Sequence, residues 1–202
     1  DTSDKAHTRN QFFLDSIKTS GEQLMSYIDQ LTDASTLAKA KLPLLQEEFN
    51  LRGEVESVIK ALSAIANVKN VELKLSIAEG VPEVIQSDAI RIHRILSNII
   101  GNAIKYTEEG DVSIEISYLS SRDGSGVLEI QVIDTGVGID DCYKQLIFSP
   151  MIRIKSTSNH TEGAGLGLSI VKDFINDLSG QITVSSSPNE GSRFIILIPL
   201  PK

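Results

Sequence analysis

The sequence predicts an α+β fold: a two-layer α/β sandwich in which a mixed sheet carries three helices on one face, preceded by one long helix. Three observations predict it. Apolar residues alternate strictly at 71–77, 112–118 and 127–133, the period of half-buried strands. They recur every three or four residues at 55–66, 88–107 and 168–178, the period of amphipathic helices. A proline-free stretch at 11–42 keeps a helical period for longer than one compact domain usually needs.

Composition bounds the rest. With 202 residues, 41% hydrophobic and 23% charged, the chain can bury one sizeable core, or one domain plus an appendage. The 19 basic against 27 acidic residues give a net charge of -8, which denies a nucleic-acid partner its usual basic footprint. Cys142 is the only cysteine, so neither an intrachain disulfide nor a cysteine metal cluster can form, and a reducing, cytoplasmic compartment is expected. There is no run of about 18 apolar residues and no charged-then-apolar leader, so no membrane contact and no secretory signal are expected. The start at Asp1, without methionine, suggests a piece of something longer.

From Gln11 to about Leu42 there is a single glycine, and Phe13, Ile17, Leu24, Ile28, Leu31 and Leu37 recur at spacings of mostly three, four and seven. Ile17, Leu24 and Leu31 stand seven apart, as do Gly21, Ile28 and Ser35, the pattern of a helix packing along another helix. A partner helix is expected; the alternative is a helix lying on the domain's own core. Pro43 ends it, dividing the chain into 1–42 and 43–202.

Leu44 to Leu51 reads as a short strand, and Val55, Val58, Ile59, Leu62, Ile65 and Ala66 mark one face of a helix. Val71, Leu73, Leu75 and Ile77 alternate in a strand closed by Gly80-Val81-Pro82. From Asp88, whose carboxylate can cap it, a helix runs to Thr107. Val112, Ile114, Ile116 and Tyr118 alternate, residues 120–126 form a polar turn, and the strand from Val127 to Ile133 returns antiparallel. A short irregular piece ends in Ile147-Phe148-Ser149-Pro150. The polar segment from Met151 to Glu162, with Arg153 and Lys155, reads as a mobile lid or an ordinary surface loop. Leu168, Ile170, Val171, Phe174, Ile175 and Leu178 line the last helix, ended by Gly180. Strands from Gln181 to Ser187 and from Arg193 to Ile198 flank Asn189-Glu190-Gly191-Ser192 as a hairpin.

Three stretches carry chemistry. Asp134-Thr135-Gly136-Val137-Gly138-Ile139 follows directly on a strand. Alternating glycines let a flat ligand approach bare backbone, and the carboxylate can accept from an amino group, so the stretch reads as a nucleobase seat; an ordinary hairpin turn has the same pattern. On the helix at 88–107, Arg91, Arg94, Asn98, Asn102 and Lys105 fall in one polar stripe opposite Ile92, Leu96, Ile99, Ile100 and Ala103. Solvation is the usual reason for such a stripe, yet asparagines one turn apart are poor helix formers that gain nothing there from solvent. An amide oxygen is a hard neutral ligand suited to Mg²⁺, and Lys105 can meet a phosphate. Gly163-Ala164-Gly165-Leu166-Gly167-Leu168 opens a helix, where free N–H groups and the positive dipole end can cradle phosphate. A dinucleotide-binding fold would place such a run after its first strand; here it comes late and follows a loop.

In order, Asn98-Ile99-Ile100-Gly101-Asn102-Ala103-Ile104-Lys105-Tyr106-Thr107, Asp134-x-Gly136-x-Gly138-Ile139, Ile147-Phe148-x-Pro150 and Gly163-x-Gly165-Leu166-Gly167-Leu168 closely resemble the N, G1, F and G2 boxes of sensor histidine kinases, members of the GHKL group of ATPases. Gly191-Ser192-x-Phe194 is similar to the family's last glycine box, and Asp88-x-x-Arg91 to the start of its N-box helix. The resemblance covers residues 44–202, while residues 11–42 look like the second helix of the family's dimerisation hairpin.

The resemblance implies a GHKL, or Bergerat, ATP-binding sandwich with ATP and Mg²⁺ as cofactors. Asn102 would coordinate the Mg²⁺ that bridges the phosphates. Asn98 and Lys105 would act at the phosphate end as the catalytic pair, and Asp134 would take the adenine amino group. Gly136, Gly138 and Ile139 would let the backbone pass the base, with Tyr106 lining the pocket and Ser192 near the base. Gly163, Gly165, Leu166, Gly167 and Leu168 would close with the lid over the phosphates, and Phe148 would anchor that lid.

Two residues depart from the family's habit: Met151 where phenylalanine is common after the F-box proline, and Arg94 where glutamine is common. The larger departure is the phosphoacceptor, which the family follows with Glu or Asp, whereas the histidines here read His7-Thr8, His93-Arg94 and His160-Thr161. His93 is expected to pack at the edge of its helix's apolar wall. The implied γ-phosphoryl transfer therefore needs a histidine from outside the chain, and this fragment is expected to be inactive in autophosphorylation. Its implied partners are ATP and ADP, a second copy through the N-terminal helix, and a response-regulator receiver domain. The alternative is a degenerate nucleotide-binding or dimerising scaffold without turnover. A topoisomerase, mismatch-repair or chaperone ATPase is disfavoured by the N-terminal helix and by the lack of a catalytic glutamate between Asn98 and Asn102.

Overall fold

The computed structural model describes residue 21 and residues 43–120, 125–152 and 165–200. The long helix expected at 11–42, the lid beyond Ile152, and Gly163 lie outside the described residues.

The elements run β1 (Glu47–Asn50), α1 (Leu51–Val68), β2 (Val71–Ile77), β3 (Val84–Ser87), α2 (Ala89–Tyr106), β4 (Gly110–Ser120), β5 (Gly126–Asp134), α3 (Gly167–Asp177), β6 (Gln181–Ser187) and β7 (Gly191–Leu200), with 3-10 turns at Asp141–Tyr143 and Leu146–Phe148. Five strands form one mixed sheet in the order β2-β4-β5-β7-β6, in which β2 and β4 are parallel and the other pairs antiparallel. The three helices and the sheet are the two layers the periodicities call for. β1 and β3 pair with each other in a separate antiparallel ribbon.

Local chemistry sets the boundaries. Asn50 Oδ1 accepts from Gly53 N–H at 2.7 Å, so Asn50 caps α1 and the strand expected over 44–51 ends there. β3 is absent from the sequence reading because, of its four residues, only Ile85 is a buried apolar side chain, too little alternation to register. Asp88 caps α2, its Oδ1 accepting from Arg91 N–H at 2.9 Å. The core lies between α2 and the middle of the sheet: Ile92, Ile95, Leu96, Ile99, Ile100 and Ile104 are essentially inaccessible, as are Val112, Ile114, Leu128, Ile130, Val132 and Ile196. Each such side chain contributes roughly 1.5–3 kcal/mol. One face of α2 is thereby fixed against the sheet, and the opposite face is turned toward α3 and the Asp134 turn.

Candidate functional site

Alternation along β5 puts Asp134 on the same side as Leu128, Ile130 and Val132, the face the helices cover. Its register partners are Val112 on β4 and Ser192 on β7, and Ser192 in turn faces Ser186 on β6. A lateral row of Val112, Asp134, Ser192 and Ser186 thus crosses four strands at one end of the sheet. Asp134 is only 6% exposed. Its Oδ1 accepts from Gly136 N–H at 2.9 Å and from Ser192 N–H at 3.2 Å, and among the described residues Oδ2 accepts from no donor. Burial pushes this carboxyl's pKa up, and the two N–H donors recover part of that rise. One oxygen is fixed; the other can accept a further donor.

The turn that follows is held from both sides. Val137 N–H donates to the carbonyl of Tyr106, the last residue of α2, at 3.2 Å, and Asn189 N–H donates to Val137 O at 2.8 Å. A Cβ on Gly136 would stand 2.3 Å from that same Tyr106 oxygen. Gly138 and Gly191 have φ of +67° and +82°, and a Cβ on either would come within 1.9 Å of a carbonyl oxygen, so glycine is required twice over. Ile139 N–H donates to Ser186 Oγ at 2.8 Å, which ties the end of the turn to the β6–β7 hairpin.

α2 carries Asn98, Asn102 and Lys105, all half-buried, along the stretch that ends at Tyr106. Asn98 Nδ2 donates to Arg94 O at 2.9 Å, and its Oδ1 faces Gly167 at the start of α3. Lys105 Nζ lies 5.2 Å from the ring centre of Tyr106, whose side is open to solvent. The C-terminal end of α2 is closed by a residue from α1's end: Lys69 Nζ donates to Ile104 O at 2.7 Å and Lys105 O at 2.6 Å. Desolvation lowers the pKa of Lys69, and Glu108 opposes that shift. Arg91, expected in the polar stripe, is instead buried: it pairs with Asp88 and, at 3.3 Å, with Asp177 of α3, and lies over Phe174. His93 Nδ1 bonds Glu54 of α1.

The described edges of the glycine-rich segment meet. Met151 N–H donates to Gly165 O at 2.9 Å, and Gly165 has φ +72°. Leu166 is buried, Leu168 packs on the core, and Lys172 Nζ stands 5.8 Å over the ring of half-buried Phe148. Of the candidate residues, Asp134, Gly136, Gly138, Ile139 and Ser192 form one cluster and Asn98 and Gly167 another. Asn102, Lys105 and Tyr106 stand on the α2 stretch that leads from the second cluster to the first. Phe148, Gly165 and Leu166 lie beside the start of α3, and Leu168 is in its first turn.

Comparison with known proteins decides the family. The histidine kinase-, DNA gyrase B- and HSP90-like ATPase family matches residues 87–202. The chain belongs to this ATPase family. Among characterised relatives of the histidine kinase-type ATPase, the autoinducer 2 sensor kinase/phosphatase LuxQ of Vibrio cholerae is 36% identical over 90% of the chain and 21% of its own length. The signal transduction histidine-protein kinase BarA of Escherichia coli is 34% identical over 90% of the chain and 20% of its own length. The chain therefore spans about a fifth of these relatives. Full-length ShkA, solved with AMPPNP, superposes with a TM-score of 0.78 at 26% identity, over 95% of this chain and 39% of that one. The Acinetobacter baumannii histidine kinase AdeS gives 0.71 at 26% identity, over 94% and 84%. The GHKL-type ATPase domain is thus of the kind found in two-component sensor histidine kinases.

The donor set of this ATPase domain suits a nucleotide that brings its own charge. Among the described residues no group of three His, Cys, Asp or Glu could hold a metal, so a divalent ion here would rest on amide oxygens and on oxygens carried by the ligand. Sequence reasoning missed two residues that shape the site. Ser186 was legible through its parity with Ile182 and Val184 on β6. Lys69 carried no signal, because a lysine just after a helix reads as solvated.

Proposed function

We propose that this chain is the catalytic part of a sensor histidine kinase, which binds Mg-ATP and transfers the γ-phosphoryl group to a histidine outside the chain for relay to a response-regulator receiver domain. The observation that carries the reading is the spare oxygen of buried Asp134 beside the glycine turn that the end of α2 holds, with Asn98 of the same helix set against Gly167 at the start of α3. When bound, Mg-ATP supplies the phosphoryl group and the metal's neutralising charge. Asp134 Oδ2 accepts from the adenine amino group. Asn102 offers its amide oxygen to the metal, Asn98 orients the phosphate end, and Lys105 adds positive charge there. Gly165 and Gly167 would offer backbone N–H groups to phosphate oxygens at the start of α3. Positioning and charge neutralisation, rather than covalent steps, are the protein's contribution.

An acceptor from elsewhere fits the state of His93, whose Nδ1 is engaged by Glu54. A second copy held through the N-terminal helix would bring such an acceptor within reach on the cytoplasmic side. Calorimetric titration of ADP and AMPPNP with and without Mg²⁺ tests the reading. Magnesium-dependent binding that Asn102→Ala abolishes is expected. A folded protein that binds neither nucleotide would overturn the proposal in favour of a dimerising scaffold.

A further inference from the structure

The row at the end of the sheet contains one hydroxyl whose hydrogen-bonding capacity is full. Ser186 Oγ donates to Gly191 O at 2.7 Å, a carbonyl that can only accept. It accepts from Ile139 N–H at 2.8 Å, a group that can only donate. A serine hydroxyl has one proton and two lone pairs, so the third contact, Ser192 Oγ at 3.0 Å, has only one possible direction: Ser192 donates. The Ser192 proton is thereby committed to Ser186. Among the described residues Ser192 Oγ has no other partner, which leaves it a pure acceptor on the face it shares with Asp134, its direct neighbour across the β5–β7 pair.

Resting on the nucleotide-site reading above, we propose that Ser186 is a positioning residue for base selection: by fixing the direction of the Ser192 hydroxyl it makes the seat present two acceptors, Asp134 Oδ2 and Ser192 Oγ, and so selects a 6-amino purine over a 6-oxo purine. An amino group satisfies two acceptors. A 6-oxo group meets lone pairs on both, and a hydroxyl that could turn to donate to it is held the other way.

The substitution Ser186→Ala removes the acceptor of the Ser192 proton and frees that hydroxyl to rotate toward the ligand. It also leaves Ile139 N–H unpaired, which weakens all nucleotides alike, so the informative quantity is a ratio. The experiment is titration of ADP and IDP, each with Mg²⁺, into the wild-type chain, Ser186→Ala, Ser186→Thr and Ser192→Ala, with thermal unfolding as the check on fold. The wild type is expected to prefer ADP. The IDP-to-ADP ratio of dissociation constants should fall by roughly 3- to 10-fold in Ser186→Ala, the range of one hydrogen bond, and stay near wild type in Ser186→Thr, which keeps the hydroxyl. In Ser192→Ala, with the second acceptor gone, the ratio should fall comparably, and this variant decides the matter if Ser186→Ala does not fold. Failure of the wild type to bind ADP would remove the underlying nucleotide reading. ADP binding with a ratio unchanged in Ser186→Ala, or in Ser192→Ala, would overturn the role of Ser186 alone.

Discussion

Asn98 Oδ1 lies 2.7 Å from the point that a Cβ on Gly167 would occupy. α2 and α3 meet there with an amide oxygen against bare backbone, and any side chain at 167 would have to push the asparagine aside. The atom in the way ends a side chain and is not backbone, so Gly167→Ala should fold with a stability within about 1 kcal/mol of wild type, the helix-propensity gain offsetting the contact. Its affinity for Mg-ADP should fall by roughly tenfold or more, because Asn98 is displaced from the proposed phosphate end. Unfolding in urea and calorimetric titration read the two effects separately; unchanged affinity would contradict the role given to Asn98.

Asp134→Asn should separate stability from ligand binding. The folded carboxyl's pKa is raised, chiefly by burial, so the native state holds its proton more tightly than the unfolded chain. The sign is then fixed: the stability this group confers is present below the unfolded pKa and is lost as pH rises through the folded one. Asparagine keeps an oxygen for Gly136 and Ser192 and carries no charge, so the variant should melt above wild type at pH 7, with the gap closing as pH falls through the carboxyl's titration. Adenine nucleotide binding should be lost over the same range. Melting curves at several pH values check the first claim and titration the second.

Lys69→Met keeps the apolar stem and removes both hydrogen bonds to the end of α2. The carbonyls of Ile104 and Lys105 then turn to water, at a cost of about 1–2 kcal/mol in urea unfolding. The next carbonyl, that of Tyr106, is the one that holds Val137 N–H, so ADP affinity should weaken several-fold with it. Stability loss without any change in affinity would confine Lys69 to a capping role.

Gly101→Ala is the counterpart to Gly167→Ala. Gly101 sits in the interior of α2, and a Cβ there would meet nothing within 4 Å. Alanine should raise stability by about 0.5–1 kcal/mol through helix propensity alone, measurable as a shift in the urea midpoint.

What the sequence revealed follows from how locally each feature is encoded. β4, β5 and α2 were legible because each is long, buried on one face and written at a single period. β1 was legible only with looser bounds, 44–51, and β3 was not, since four residues with one buried apolar side chain give too few repeats to rise above chance. The Asp134 turn was legible as a motif because Asp134, Gly136 and Gly138 stand within five residues of one another, although the carbonyls the glycines must clear, those of Tyr106 and Ser187, lie far along the chain. Arg91 was misread because its period on the helix says which face it occupies, and nothing local says that Asp177 of α3 stands opposite. Lys69 acts on carbonyls reached only after the chain has crossed the fold, and Ser186, though its parity on β6 is local, meets Ile139 from 47 residues away; no spacing rule in one dimension encodes such meetings.

The row of Val112, Asp134, Ser192 and Ser186 also has a kinetic meaning. It joins two hairpins, β4–β5 and β6–β7, through the long-range β5–β7 pair, in a sheet whose β2–β4 pair is parallel and reached through a helical crossover. Pairings of that kind carry high contact order and form late, after loop closure has been overcome. No folding intermediate lacking β7 would possess the seat, so a ligand that uses it discriminates sharply between the finished domain and everything before it. Ligand at about 100 times its dissociation constant would then add about 2.7 kcal/mol to global stability, felt almost wholly as slower unfolding rather than faster folding.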